Sequence, residues 1–520
     1  MSRKLSYKYI SAFAFLLGLT RLTAATVRDR ITLPVDVNRT TTLTGNVQRQ
    51  AQPQFDRGPV DPAMPMRHMV LIVQPSSVQQ GELDQLLADR QNPSSPQYRR
   101  WLSPEEFGDR FGLSRSDHSK VVAWLSSAGF TVDQSGRGRN WIAFSGNAGQ
   151  VSRTFHTPID RFTVNGKDHY ANTASPSVPE ALAGVVGGFL GLSNFRPHSM
   201  IGKVTPEDTI GTTHSLAPQD WATIYDVAPL YQAGFNGAGQ SIAVVGASDV
   251  TLADIQVFRK RFGLPANDPK MTLYADDPGY NDAELEGDLD LEWAGAIAPN
   301  ATIYYVYGED PFSATVAAVD MNVAPVVTIS YGSCEIDFAI GFWRAIAQQA
   351  NAQGITILNS SGDAGAAGCD GGEQSAFAVS GLTADFPAVL PEVTGVGGTQ
   401  FLDATGSYWA DASGNLAPTA TVTRGGMVTF YMVGAGEVAP QVLTGYGPTV
   451  AESRQFQPWL PLSVTVGGTE VFVVETQLTP SQFGTTQVSI LVPSSVPAGV
   501  QPVVATVGGA SSPPVNVTVQ

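Results

Sequence analysis

The chain has 520 residues, room for three or four domains at about 150 residues each. Apolar residues make up 43% and charged ones 15%, with 53 Gly and 35 Pro; this mix fits loop-rich, sheet-containing exported domains and argues against coiled coil or disorder. The formal net charge of −16 argues against nucleic acid or an anionic membrane as partner.

Arg3, Lys4 and Lys8 precede the apolar run Ile10–Leu19, and small residues follow at Thr23, Ala24 and Ala25. This pattern predicts a secretory signal peptide over 1–25 and a secreted protein. The run is too short to span a membrane comfortably, and no later stretch is long and apolar enough. Residues 26–60 are polar without periodicity and read as a flexible lead-in.

From 61 to 196 strand and helix patterns alternate. Strands are predicted at Met69–Gln74, Phe130–Asp133, Trp141–Ser145 and Arg161–Val164, and helices at Gly81–Arg90 and Asp117–Ala128. Ser103, Pro104 and Glu106 form an N-cap, a first-position proline and a reciprocating glutamate. An α+β domain of the split-βαβ, ferredoxin-like kind fits. Residues 197–219 are a Pro- and Gly-containing linker of the kind where proteolytic nicking concentrates.

From 220 to 410 short β-branched runs alternate with helical patterns. The strands are Ser241–Gly246, Thr302–Tyr307, Val326–Ile329 and Thr356–Asn359. The helices are Leu252–Phe262, Glu284–Ala298, Pro311–Asp320 and Phe338–Ala352. This order predicts a doubly wound parallel sheet with its site at the carboxyl ends of the strands. Beyond 411 the helical signal ends. Val422–Met432, Leu462–Val466, Val471–Val474, Gln487–Val492, Val500–Val507 and Val515–Gln520 predict an all-β sandwich.

Three carboxylates stand out. Glu286 and Asp290 are four apart in a helical pattern and so share one face. Asp363 follows a strand in the turn Ser360-Ser361-Gly362-Asp363. Each also has an ordinary reading, as a first-turn acid complementing the helix dipole or as turn chemistry. No histidine occurs after His214, which suggests acid-side chemistry in which Glu and Asp act as the base. Cys334 and Cys369 are a candidate disulfide in an exported chain, or else two buried thiols; nearby histidines for zinc are lacking.

The text Asn92-Pro93-Ser94-Ser95-Pro96-Gln97-Tyr98-Arg99-Arg100-Trp101-Leu102-Ser103-Pro104 resembles the propeptide of pro-kumamolisin-type proteases. So do Val122-Ala123-Trp124-Leu125, Phe144-Ser145-Gly146 and the stretch Pro179–Phe195. The following domain resembles a sedolisin, a serine-carboxyl peptidase. Gly237–Val245, Leu289–Ala296, Ser330–Glu335, Ser361-Gly362-Asp363, Phe386-Pro387-Ala388 and Val396-Gly397-Gly398-Thr399 carry that likeness in order.

The resemblance implies a subtilisin-like fold, an acid-side endopeptidase made as a zymogen, and roles for single residues. Glu286 matches the general base, Asp290 the carboxyl that orients and polarises it, and Asp363 the oxyanion-hole acid. Ser330, Tyr331 and Gly332 match a substrate-binding wall. Protein or peptide substrates and the chain's own propeptide are the implied partners, in a monomer. The family nucleophile, in a Gly-Thr-Ser turn, is not found downstream, and the match stops near Trp409. The expectation is an incomplete catalytic domain in an inactive chain. No cofactor is expected, the family's calcium site falling in the missing part. Residues 411–520 resemble an Ig-like module of exported bacterial proteins.

Overall fold

The structure is a computed structural model that describes residues 27–520 apart from 165, 197, 200–216, 336–339, 364–367, 370–382, 399–408, 411–415, 418–419, 434–437, 440–452, 480–484 and 513. The expected signal peptide and most of the expected linker lie outside the described residues.

The sheet of the expected prodomain is built from β1 (Pro65–Val73), β2 (Thr131–Ser135), β3 (Trp141–Asn147) and β4 (Val186–Leu190). Its order is β2-β3-β1-β4, antiparallel throughout. Helices α1 (Ser77–Gln91), α2 (Pro104–Phe111) and α3 (Arg115–Ser127) lie between β1 and β2, and α4 (Ala148–Phe155) follows β3. Capping residues set the helix starts. Ser103 Oγ accepts the Glu106 N–H while Glu106 returns a bond to the Ser103 N–H at 2.8 Å; Ser76 with Gln79 and Asn147 with Gln150 repeat the device.

The run Met69-Val70-Leu71-Ile72-Val73 is apolar without a break because both of its faces are buried. Met69, Leu71 and Val73 join the prodomain's own core with Phe130, Phe144 and Phe155. Val70 and Ile72, with Trp141 and Ala143 of β3, point the other way into a core shared with Phe312, Val316 and Trp343. The prodomain and the following domain therefore bury one apolar layer between them.

The second domain carries a parallel sheet of order β7-β8-β6-β9-β11-β13, from β6 (Ser241–Gly246), β7 (Lys270–Leu273), β8 (Thr302–Tyr307), β9 (Val326–Ile329), β11 (Thr356–Ser360) and β13 (Thr394–Val396). A separate antiparallel trio is formed by β5 (His198–Ser199), β10 (Tyr331–Cys334) and β12 (Asp385–Phe386), with β10 central. Its longer helices are α5 (Leu252–Arg261), α6 (Glu284–Ile297), α7 (Pro311–Met321) and α8 (Ile340–Gln353). Helix α7 is buried from Pro311 to Asp320, as a helix must be between a sheet and a docked prodomain. The C-terminal end of α8 is held by the prodomain: the Leu102 N–H donates to the Ala352 carbonyl at 2.9 Å, the buried Arg90 guanidinium donates to the same oxygen, and Trp101 fills the space above Gly354. A cation at a helix C-terminus also complements its dipole.

The C-terminal strands β14 (Ala420–Val422), β15 (Met427–Val433), β16 (Leu462–Val466), β17 (Thr469–Leu478), β18 (Thr485–Leu491), β19 (Gly499–Val507) and β20 (Val515–Val519) pack around Val464, Val488, Ile490 and Val503. The sequence reads Val422–Met432 as one strand; a turn with Gly425 at φ +84 splits it.

The lead-in also departs from expectation. Residues 27–60 are pinned to the prodomain rather than flexible. The Ile31 and Arg30 N–H groups donate to buried Asp117, Thr40–Thr42 pairs with Ser177–Pro179, and Asp56–Pro59 pairs with Ile159–Val164. Single anchors such as Ile31, 2% exposed, leave no periodicity to read.

The shared layer predicts cooperativity. Ile72→Ala should cost about 2–5 kcal/mol and lower one common melting transition of prodomain and second domain in calorimetry. Two separate transitions, with only the first shifted, would contradict the shared core.

Candidate active site

Helix α6 supplies the central acids. Glu286 is 3% exposed, and Asp290 lies one turn on along the same face. Between them Gly287 costs a helix about 1 kcal/mol relative to alanine. It is there for space: a Cβ at Gly287 would lie 2.5 Å from Tyr305 Oη, and one at Gly246 2.1 Å from it. The buried Tyr305 hydroxyl donates to the Ser248 carbonyl at 2.9 Å, locking α6 close over β6 and β8.

Ser330, in the bend between β9 and β10, donates its hydroxyl to Asp290 Oδ1 at 2.8 Å. Asp290 Oδ2 is buried without a hydrogen-bond partner. Desolvation and then the neighbouring Glu286 push the Asp290 carboxyl up to about 8, against the opposing effect of the Ser330 bond. Burial followed by the same two acids also raises the Tyr331 phenol. The pair meets the sheet where β6 and β9 lie side by side, the point at which successive strands change direction across the sheet.

Asp363 follows β11, the neighbour of β9, and is exposed. It thus stands one strand away from Ser330. Asn359 at the end of β11 donates to the carbonyls of Ile329 at 2.7 Å and Tyr331 at 3.1 Å, fixing the bend that carries Ser330. Cys334 and Cys369 are joined by a disulfide, with Cα atoms 4.5 Å apart. It ties the end of β10 to the loop after Asp363.

The expected wall Ser330–Gly332 is already occupied at Tyr331 and Gly332. β5 lies antiparallel on β10, with His198 opposite Gly332 and Ser199 opposite Tyr331. The edge that an extended peptide would use is taken by the chain's own segment after the prodomain. A cavity of about 380 Å³ lies elsewhere, at the prodomain seam beside Phe189, Tyr274 and Phe312. An ion pair, Arg196 to Glu309 at 2.6 Å, bridges its rim, and His68 Nε2 lies 3.4 Å from Asp276 Oδ1. It is a seam between docked units and not the place where the α6 acids converge.

Sequence reasoning placed Ser330 on the substrate wall and missed its bond to Asp290, and it passed over Tyr305 and Asn359. The one available signal was Gly287 inside a strong helical pattern. Among the described residues no group of three or more His, Cys, Asp or Glu could hold a metal ion.

A second column of acids, Glu284, Asp288 and Glu292, runs along α6 beside Asp254 of α5. Desolvation first, then like charges, lift Asp288 to about 6 and Glu292 to about 7. Folded-state values above the ordinary ones mean that the folded chain binds more protons than the unfolded one between about pH 4 and pH 8. That stabilisation is complete below the ordinary carboxylate range and is lost as pH rises through the folded values. The melting temperature should fall from pH 4.5 to pH 8, and Glu292→Gln should raise it at pH 8 while leaving it unchanged at pH 4.5. A melting temperature that is flat or rises over this range would contradict the burial of these acids.

The pro-kumamolisin activation domain family matches residues 55–195. Sedolisin from Pseudomonas sp. (strain 101) is 31% identical over 377 residues, covering 64% of this chain and 63% of that protein. Xanthomonalisin from Xanthomonas sp. (strain T-22) is 31% identical over 54% of this chain and 38% of its own length. Kumamolisin from Bacillus sp. (strain MN-32) is 26% identical over 79% of this chain and 76% of its own length. The chain thus spans less than two thirds of sedolisin and of xanthomonalisin. Residues 55–195 thus match the pro-kumamolisin activation domain family, and the chain is similar to sedolisin, xanthomonalisin and kumamolisin over more than half of its length.

Proposed function

We propose that this chain is a zymogen-form sedolisin-type serine-carboxyl endopeptidase scaffold for peptide bonds at acidic pH, exported by residues 1–25 and catalytically silent as it stands. The observation that carries the reading is the pairing of Glu286 with Asp290 on α6, beside a cleft wall that already holds β5. Glu286 is the general base and Asp290 its orienting partner. Asp363 is the acid that would donate to a developing oxyanion. A histidine base would be fully protonated in acid, whereas a carboxyl pair with one raised value can still accept a proton there.

Silence follows from the hydroxyl inventory. No Gly-Thr-Ser text occurs in the sequence, and Ser330 spends its proton on Asp290. Without a nucleophile a triad-type enzyme falls by about 10⁶ in rate. The prodomain we read as ferredoxin-like, the second domain as a subtilisin-like sheet that is incomplete, and the C-terminal domain as an Ig-like sandwich. The prodomain then stays docked, with His198–Ser199 left paired on β10.

A second reading is a truncated pseudo-peptidase or cell-surface binding protein that works through its sandwich. One observation favours it: Met427, Leu491 and Phe472 stand in register across three adjacent strands and are 63%, 37% and 69% exposed, an apolar row of the kind that marks contact surfaces.

Held at pH 4, the purified protein should keep its prosegment, as seen by intact-mass spectrometry, and should not label with an acyl-trapping serine reagent. Cleavage within 197–219 that Glu286→Ala abolishes would overturn the silent reading and restore an active enzyme with an unrecognised serine.

A further inference from the structure

Behind the Asp363 turn sits a carboxyl that no motif singles out. Asp385 opens β12 opposite Cys334 and is 4% exposed. The chain makes room for it with two glycines. A Cβ at Gly362 would lie 1.5 Å from Asp385 Oδ2, and one at Gly368 would lie 2.9 Å from Oδ1. Gly362 is also at φ +87, where a side chain would be strained. The turn that presents Asp363 is therefore draped directly over the Asp385 carboxyl.

The rim of this hollow is fastened on three sides. The Cys334–Cys369 disulfide ties the two loops. The Cys369 N–H donates to Thr383 Oγ1 at 3.0 Å, and the Ala384 N–H donates to Glu335 Oε1 at 2.9 Å. The charged groups acting on Asp385 are Asp363, from the turn after β11, and Glu335, from the segment after β10. Both are acids. Two carboxyls this placed, one of them buried, cannot both ionise cheaply.

We propose that Asp385 is a positioning residue for Asp363: its buried carboxyl props the Gly362–Asp363 turn and shares one proton with Asp363, so that a neutral carboxyl is offered to the cleft. This rests on the reading of Asp363 as the oxyanion acid. It repeats at the second acid the pairing of two carboxyls seen on α6. Desolvation, then Asp363, then Glu335 push Asp385 up to about 6, in keeping with such a pair.

The test is a ¹³C-carboxyl NMR titration of the full chain labelled at aspartate, following Asp385. Asp363 is exposed, so Asp363→Asn should leave the fold intact. It should lower the Asp385 midpoint by about one pH unit or more, the mark of a coupled pair, and Glu335→Gln should lower it by less. Coupling is reciprocal, so the same shift measures what Asp385 does to Asp363; a merely structural Asp385 would change melting behaviour without it. An Asp385 midpoint unmoved by Asp363→Asn, or moved more by Glu335→Gln, overturns the pairing. The titration needs no turnover and so separates two failures. An unmoved midpoint removes the pair alone, whereas cleavage within 197–219 at pH 4 that persists in Asp363→Asn overturns the oxyanion role that the pair serves.

Discussion

Two carboxyls on one buried face of a helix are expensive, and the surroundings of α6 are organised around that expense. Asp290 has one oxygen satisfied by Ser330 and one buried with no partner, so its ionised form is disfavoured while Glu286 is near. A helix with so much acid can pack against a sheet only if protons remain on it. The conditions under which α6 is stable are then the conditions under which Glu286 has a neutral neighbour to lean on. The proposed chemistry would share that pH window with stability, because it uses the same groups.

The prodomain is bound by a different force. Its central strand is apolar on both faces, one for its own core and one for α7 and α8. Removing the prodomain would expose Val70, Ile72 and Trp141 on one side and Phe312 and Trp343 on the other, a patch of the size that soluble surfaces rarely leave bare. Polar fastenings at the edge of that layer, such as Arg137 N–H to Asp320 at 2.8 Å and Asn140 to Gln349 at 2.7 Å, set the docking register. With the prodomain fixed this way, the segment that follows it reaches β10 as an added strand. The cleft is covered by chain connectivity as much as by affinity.

Much of this was legible in the residues. Ser241–Gly246, Thr302–Tyr307 and Val326–Ile329 form the strands read from β-branched runs, and Ser103 caps its helix with Glu106 in return. The i, i+4 spacing put Glu286 and Asp290 on one face. What stayed hidden depends on contacts distant in sequence. Gly287 reads as a weak point until Tyr305 is seen beneath it, Gly362 as an ordinary turn glycine until Asp385 fills its hollow. The lead-in looked unstructured because its anchors are single residues that bond to a buried aspartate and to strand edges. The two-residue strand at His198 has no pattern at all, since backbone pairing with β10 makes it.

The central claim, that α6 keeps a proton on a buried carboxyl beside Glu286, is tested most directly by isotope-edited infrared spectroscopy on the full chain with ¹³C-labelled aspartate. A protonated-carboxyl band that Asp290→Asn removes should persist above pH 6 and titrate toward about 8, and Glu286→Gln should shift it to lower pH. If the Asp290 carboxyl is instead ionised throughout from the ordinary carboxylate range upward, with or without Glu286, the account of this site is wrong.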